Sequence, residues 1–240
     1  MDKPILTQAQ TDYWNRPLFC IGMPRSGTSM AMGVLAACGL WIGTMRPPTP
    51  QNPKGFYENY RLERRIAEVC LGLAGADPNG VNPLPKLSAF KNFPSIRTLA
   101  DFELRGDGYK GDIPWGFKST KMTLSWPIWA RAFPKARWLI VRRPADQVVN
   151  SCLRTPFLRV RSANPKFWQS SVAVYQQRID QFKASGLAYD ELWSTDILAD
   201  HGAPLRPIAD KLGLVWKDEQ VRAFIEPSYW GGRPKQPASG

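Results

Sequence analysis

The sequence predicts an α/β fold: a central, mainly parallel β-sheet flanked by helices in a three-layer sandwich. Two observations lead there. An apolar run, Pro17-Leu18-Phe19-Cys20-Ile21, feeds a glycine-rich turn that opens an Ala/Met/Leu-rich stretch, and a second apolar run, Trp138-Leu139-Ile140-Val141, leads into another helical pattern at Pro144. Short runs without polar alternation are what a parallel sheet covered on both faces requires, and strands alternating with helices give the crossovers that such a sheet needs.

The remaining elements follow in order. Residues 28–38 read as a helix stopped by Gly39. Residues 44–57, rich in Pro, Asn and Gly, read as a loop, and residues 58–73 carry a helical period with Leu62, Ile66, Val69 and Leu73 on one face. Residues 75–114 read as irregular, apart from a short helix near 95–104. Trp115 to Ser119 is a short strand, and 124–133 a helix that stops before Pro134. Pro144 suits the first turn of a helix that runs to about Arg154. A long amphipathic helix over 166–183, a mixed segment over 188–193 and two short helices over 205–212 and 217–225 complete the chain. There are no internal repeats. The expectation is one domain over residues 1–230 with a flexible tail over 231–240.

Composition narrows the class. A chain of 240 residues can bury a full α/β core, and 43% hydrophobic content argues against disorder. No run of about 18 apolar residues predicts a membrane span, and Met1-Asp2-Lys3-Pro4 does not open a secretory leader. Cys20, Cys38, Cys70 and Cys152 are widely spaced in apolar context, which predicts reduced core thiols and a cytoplasmic protein. The net charge of +12 calls for an anionic ligand, with local concentrations at 61–65, 142–143 and 154–161. No zinc finger, RNP-like strand or basic heptad is present, so nucleic acid is not the expected partner.

The chemistry gathers at the predicted strand ends. Gly22 and Gly27, followed by Thr28-Ser29, have the spacing of a P-loop, in which backbone N–H groups and a helix N-terminus cradle a phosphate. Thr28 stands where a nucleotide triphosphatase has its lysine, and the positive charge sits inside the loop at Arg25. The strand over 138–141 ends in Arg142-Arg143, not in the carboxylate that would hold Mg²⁺. A P-loop NTPase-like sandwich without triphosphatase machinery is the result. The strand at Trp115 presents Lys118-Ser119-Thr120-Lys121, and Glu58 follows the turn Gly55-Phe56-Tyr57. Open parallel sheets bind ligands at these carboxyl ends.

At these residues the chain resembles the PAPS-dependent sulfotransferases (PAPS is 3′-phosphoadenylyl sulfate). Pro24-Arg25-Ser26-Gly27-Thr28-Ser29 matches the family's 5′-phosphosulfate loop at every position. The family's 3′-phosphate motif has an Arg at a strand end, a Pro and then a Ser in the next helix; here it is Arg142-Arg143-Pro144 with Ser151, or with Asn150 if Arg142 sets the register. Trp115-Gly116-Phe117-Lys118-Ser119 resembles the strand whose Lys faces the transferring group, with Thr120 where the cytosolic branch has its catalytic His. That points towards the bacterial, carbohydrate and tyrosyl-protein branches. The resemblance implies PAPS as donor, PAP as product and no metal. It implies Arg25, Glu58 and Lys118 as catalytic residues, with Glu58 as the base. Pro24, Arg25, Ser26, Gly27, Thr28, Ser29, Arg142, Arg143 and Ser151 would bind the donor. The acceptor would be a hydroxyl or amine of a small molecule, lipid or saccharide. Two other readings stay open from the residues alone: a P-loop nucleotide kinase-like enzyme, and a non-catalytic nucleotide- or polyanion-binding protein.

Overall fold

The computed structural model describes residues 8–49 and 52–225; the tail over 231–240 lies outside them. Four strands, β1 (Leu18–Ile21), β2 (Gly116–Lys118), β3 (Arg137–Arg142) and β4 (Tyr189–Trp193), form one parallel sheet in the order β2-β1-β3-β4. Phe19 on the central strand lies between Phe117 and Trp138 in register.

Two cores cover the sheet, and strand alternation sorts residues between them. Phe19, Ile21, Trp138 and Ile140 point to one face, where the helices Arg97–Gly106, Met122–Ala132, Ala145–Arg154 and Pro165–Lys183 pack. Leu18, Cys20, Leu139 and Val141 point to the other, against Thr28–Ala37, Arg206–Leu212 and Asp218–Phe224. The Phe19 ring meets Trp115, Trp129, Phe133 and Trp138 edge-on at 5.1–6.0 Å. Each such pair adds about 0.5–1.5 kcal/mol beyond the area it buries. The architecture is the α/β sandwich that the two apolar runs predicted.

Three local expectations change. The helix expected from Glu58 begins at Tyr60, capped by Asn59, whose side chain accepts from the Leu62 N–H at 3.0 Å. Within it, residues Glu63–Ala67 form a π-helical turn. Each π turn takes one extra residue, which rotates every later position by about 100°. Val69 and Leu73 are therefore 47% and 72% exposed, while Ala67, Cys70 and Leu71 are buried in their place; the side chain of Ile66 lies outside the described residues. The mixed segment over 188–193 is the edge strand β4, with ladder bonds to β3 alone among the described strands. Pro144 sits at the N-cap of Ala145–Arg154, one residue before the first turn.

The four thiols are all buried and unpaired. Burial pushes those of Cys20, Cys70 and Cys152 up to about 12. Native protein is expected to react slowly with a thiol-specific dye and to release four thiols on unfolding; fast labelling of the native state would place a cysteine outside the core. No helix among the described residues is long and apolar enough to cross a membrane.

Candidate active site

The carboxyl ends of β1, β2 and β3 place two cationic groups side by side. The first is built on the turn after β1. Arg25 and Gly27 both have left-handed backbone, with φ of 69° and 99°. The turn is held from outside: Thr123 Oγ1 accepts from the Gly22 N–H and donates to the Gly22 carbonyl, each at 2.9 Å. A Cβ on Gly22 would lie 2.5 Å from the Val141 carbonyl, and one on Gly27 would lie 2.6 Å from Ser194 Cβ. Both glycines let the turn lie against β3 and the segment after β4. Strain at a non-glycine left-handed residue of the order of 1–3 kcal/mol is typical of functional turns.

This geometry brings Arg25 together with Arg143 and Ser151, which lie 118 and 126 residues further along the chain. Arg25 Nε donates to Ser151 Oγ at 3.0 Å, and Arg143 donates to the Arg25 carbonyl at 3.3 Å and to Gln147 Oε1 at 3.1 Å. All of these acceptors are neutral. Neither guanidinium forms an ion pair among the described residues. Burial pulls both below the ordinary arginine value, and the nearby charge of Arg154 adds to the effect on each. Among the described residues, Ser26 Oγ is buried without a hydrogen-bond partner, and no side chain caps the helix Thr28–Ala37 that the turn opens. Uncompensated cations, an orphaned hydroxyl and an uncapped helix start make a site for an anion.

Arg142 goes elsewhere. Its guanidinium pairs with Glu191 at 3.1 Å, donates to Gln176 Oε1 at 2.6 Å and lies 4.8 Å from the Trp193 ring centroid. Asn150 is exposed, whereas Ser151 is buried beside Arg25. Pro24 leads into the turn at intermediate exposure.

The second group stands beside the first. Lys118, at the end of β2, is only 3% exposed. Its Nζ donates to Glu58 Oε1 at 2.5 Å, Ser29 Oγ at 3.1 Å and the Phe56 carbonyl at 3.2 Å. Ser29 belongs to the turn of helix 28–37 that Arg25 precedes, so it links the two groups. Glu58 is 8% exposed, and burial raises its carboxyl above the ordinary glutamate value, against the opposing pull of Lys118. It lies before the N-cap, so its carboxylate is placed by the lysine and not by a helix N-terminus. Thr120, in the position of the cytosolic branch's His, is half-buried at the same strand end.

Sequence reasoning did not find Thr123, Gln147, Ser194 or the network Arg142–Glu191–Lys183, in which Lys183 pairs with Glu191 at 2.7 Å. None of these carries a motif; each acts by position. A second buried ionic cluster also went unread: Lys121 Nζ lies 2.8 Å from Glu63 and 3.3 Å from Glu68, which pairs with Arg46 at 3.2 Å. Trp41 and Trp126 pack on Tyr109 and Phe182, with ring centroids 4.7 and 5.4 Å apart. His201 is exposed in a loop.

The fold has solved counterparts, while no curated protein matches the sequence. The sulfotransferase domain from the Synechococcus PCC 7002 olefin synthase shares 20% identity at a TM-score of 0.52, covering 90% of this chain and 79% of that one. Sulfotransferase STF1 from Mycobacterium tuberculosis H37Rv shares 14% at 0.51, covering 92% and 75%. A sulfotransferase from Alicyclobacillus acidocaldarius shares 16% at 0.52, covering 84% and 83%. At such identities the likeness speaks for the fold alone. The sequence itself carries the rest: residues 17–218, which hold both cationic groups and all four strands, match the model of the sulfotransferase family, and the chain belongs to that family.

Proposed function

We propose that this protein transfers a sulfuryl group from PAPS to a hydroxyl or amine of a small-molecule, lipid or saccharide acceptor. The observation that carries this reading is the half-buried Arg25–Ser151–Arg143 group, cationic and without an ion-pair partner among the described residues, standing beside a buried Glu58–Lys118 pair. An unpaired cationic group, a helix N-terminus and a buried carboxylate paired with a lysine at the carboxyl end of a parallel sheet suit a donor with two anionic ends and an acceptor proton.

PAPS, when bound, supplies an activated sulfuryl group on a phosphate that is a good leaving group. The residues divide the remaining tasks. Arg143, Ser151 and the outer side of Arg25 hold the 3′-phosphate and fix the donor's register. The N–H groups of residues 26–29, the Ser26 hydroxyl and Lys118 face the 5′ end, where negative charge grows on the leaving oxygen, and they are already oriented before reaction. Pro24, Gly27 and Thr28 shape the turn that aims them. Glu58 takes the acceptor's proton at its carboxylate. Its side chain keeps 11% of its surface, enough for an acceptor to reach it. Lys118 holds the Glu58 carboxylate in place from the other side. The Arg142 network with Glu191 and Gln176 steadies the end of β3 and leaves Arg143 to the ligand.

The test is a pair of titrations. Micromolar binding of 3′,5′-adenosine bisphosphate (PAP), with much weaker binding of ATP plus Mg²⁺, is expected. Preference for ATP, or indifference to both, would sink the assignment in favour of a kinase-like or general polyanion-binding protein.

A further inference from the structure

The helix Ala145–Arg154 leads from Ser151 into a knuckle, residues 154–161, that the proposed reaction does not use. Thr155 Oγ1 donates to the Ser151 carbonyl at 2.7 Å, and Leu158 is buried in the core on that face of the sheet. The single turn Pro156–Arg159 is thereby fixed, and it turns its other side chains outward. Phe157 is 51% exposed and Val160 85%. Arg159 and Arg161 are exposed in the same stretch, as is Arg154, whose charge reaches Arg25 and Arg143.

Nothing in the segment balances these charges. No Asp or Glu occurs between Asp146 and Asp180. Asp77 attracts Arg161 without forming an ion pair with it among the described residues, its oxygens accepting the backbone N–H groups of Asn79, Val81 and Asn82. A knuckle that exposes two apolar side chains and, in the same stretch, Arg159 and Arg161 fits one environment in both respects. A soluble polyanion would engage the arginines and leave Phe157 and Val160 in water. A lipid surface takes both: apolar side chains enter the boundary between headgroups and acyl chains while arginines meet anionic headgroups.

We propose that residues 154–161 dock the protein onto an anionic membrane surface, with Phe157 and Val160 inserted and Arg159 and Arg161 on the lipid phosphates. The knuckle begins within one turn of Ser151, so docking sets the anion site beside the lipid surface. The contact is peripheral and does not depend on which donor the site holds.

Co-sedimentation of the full chain with vesicles tests it. Binding to phosphatidylglycerol/phosphatidylcholine vesicles that weakens with salt, and no binding to pure phosphatidylcholine, is expected. Arg159→Ala and Arg161→Ala should each weaken it about fivefold. Phe157→Ser/Val160→Ser should weaken it about tenfold or more, with the thermal melt unchanged. Three results would overturn the proposal: no binding to anionic vesicles, undiminished binding of the Phe157→Ser/Val160→Ser variant, or capture by heparin without capture by vesicles, which would mark a soluble-polyanion surface. PAP titration of the same samples separates this outcome from that of the donor assignment, since neither result requires the other.

Discussion

Glu58→Gln is expected to lower turnover of PAPS with simple alcohol, phenol or amine acceptors by about 10²–10⁴-fold while leaving PAP binding intact. That range is what a positioned general base contributes. Gln keeps the shape and a hydrogen-bond acceptor for Lys118 Nζ, but it cannot take a proton. The pH profile supplies a second readout. Burial raises the Glu58 carboxyl above the ordinary glutamate range, with the Lys118 charge opposing. A base works only when deprotonated, so activity should fall on the acid side through that raised value, and Glu58→Gln should lack this limb. The variant should also unfold at lower temperature, because Lys118, 3% exposed, loses its counter-charge. Removing one partner of a buried pair costs up to about 3–5 kcal/mol, less where a neutral acceptor remains. Unchanged turnover, or an unchanged acid limb in the variant, would remove Glu58 from the chemistry and leave it as the partner of Lys118.

Arg25→Ala and Arg143→Ala are each expected to weaken PAP binding by roughly 10–150-fold, from about 1.5–3 kcal/mol per charge-assisted contact. Arg142→Ala should behave differently. Its charge is engaged with Glu191, and both groups are about a quarter exposed, so its loss should cost at most about 1 kcal/mol of stability and leave PAP affinity nearly unchanged. Arg25→Gly guards against a folding artefact. Arg25 has a φ of 69°, which glycine adopts without strain, so this variant should lose the ligand at undiminished stability. Isothermal titration and thermal melts of the four variants read all of this. Equal losses for Arg142→Ala and Arg143→Ala would contradict the division of labour at the end of β3.

Much of this was legible in the chain. The turn from Gly22 to Ser29 announces its chemistry locally, because strand, glycine spacing and helix start are consecutive and need no distant partner. The apolar runs at 17–21 and 138–141 specify a covered parallel sheet for the same reason. The helix over 60–73 was legible as a helix but not in its buried face. A π turn leaves no composition signature, and one extra residue swings Val69 and Leu73 into solvent. The edge strand β4 was obscured by Asp190 and Glu191, which a strand with one bonded edge tolerates and a central one would not.

The sequence by itself determined where a site could form: a glycine turn between strand and helix whose charge lies at residue 25, and strand ends rich in cations. Only the tertiary structure decided which groups act together. Arg142 and Arg143 are adjacent in sequence, and no local rule separates them. Successive side chains at a strand end diverge, so one meets Glu191 and Gln176 while the other meets the turn of Arg25. Lys118 and Glu58 stand 60 residues apart, and their pairing exists because β2 lies beside β1 and carries its last side chain under the helix that β1 begins. Burial then raises the carboxyl, and burial is a property of the packed chain that no stretch of sequence possesses alone.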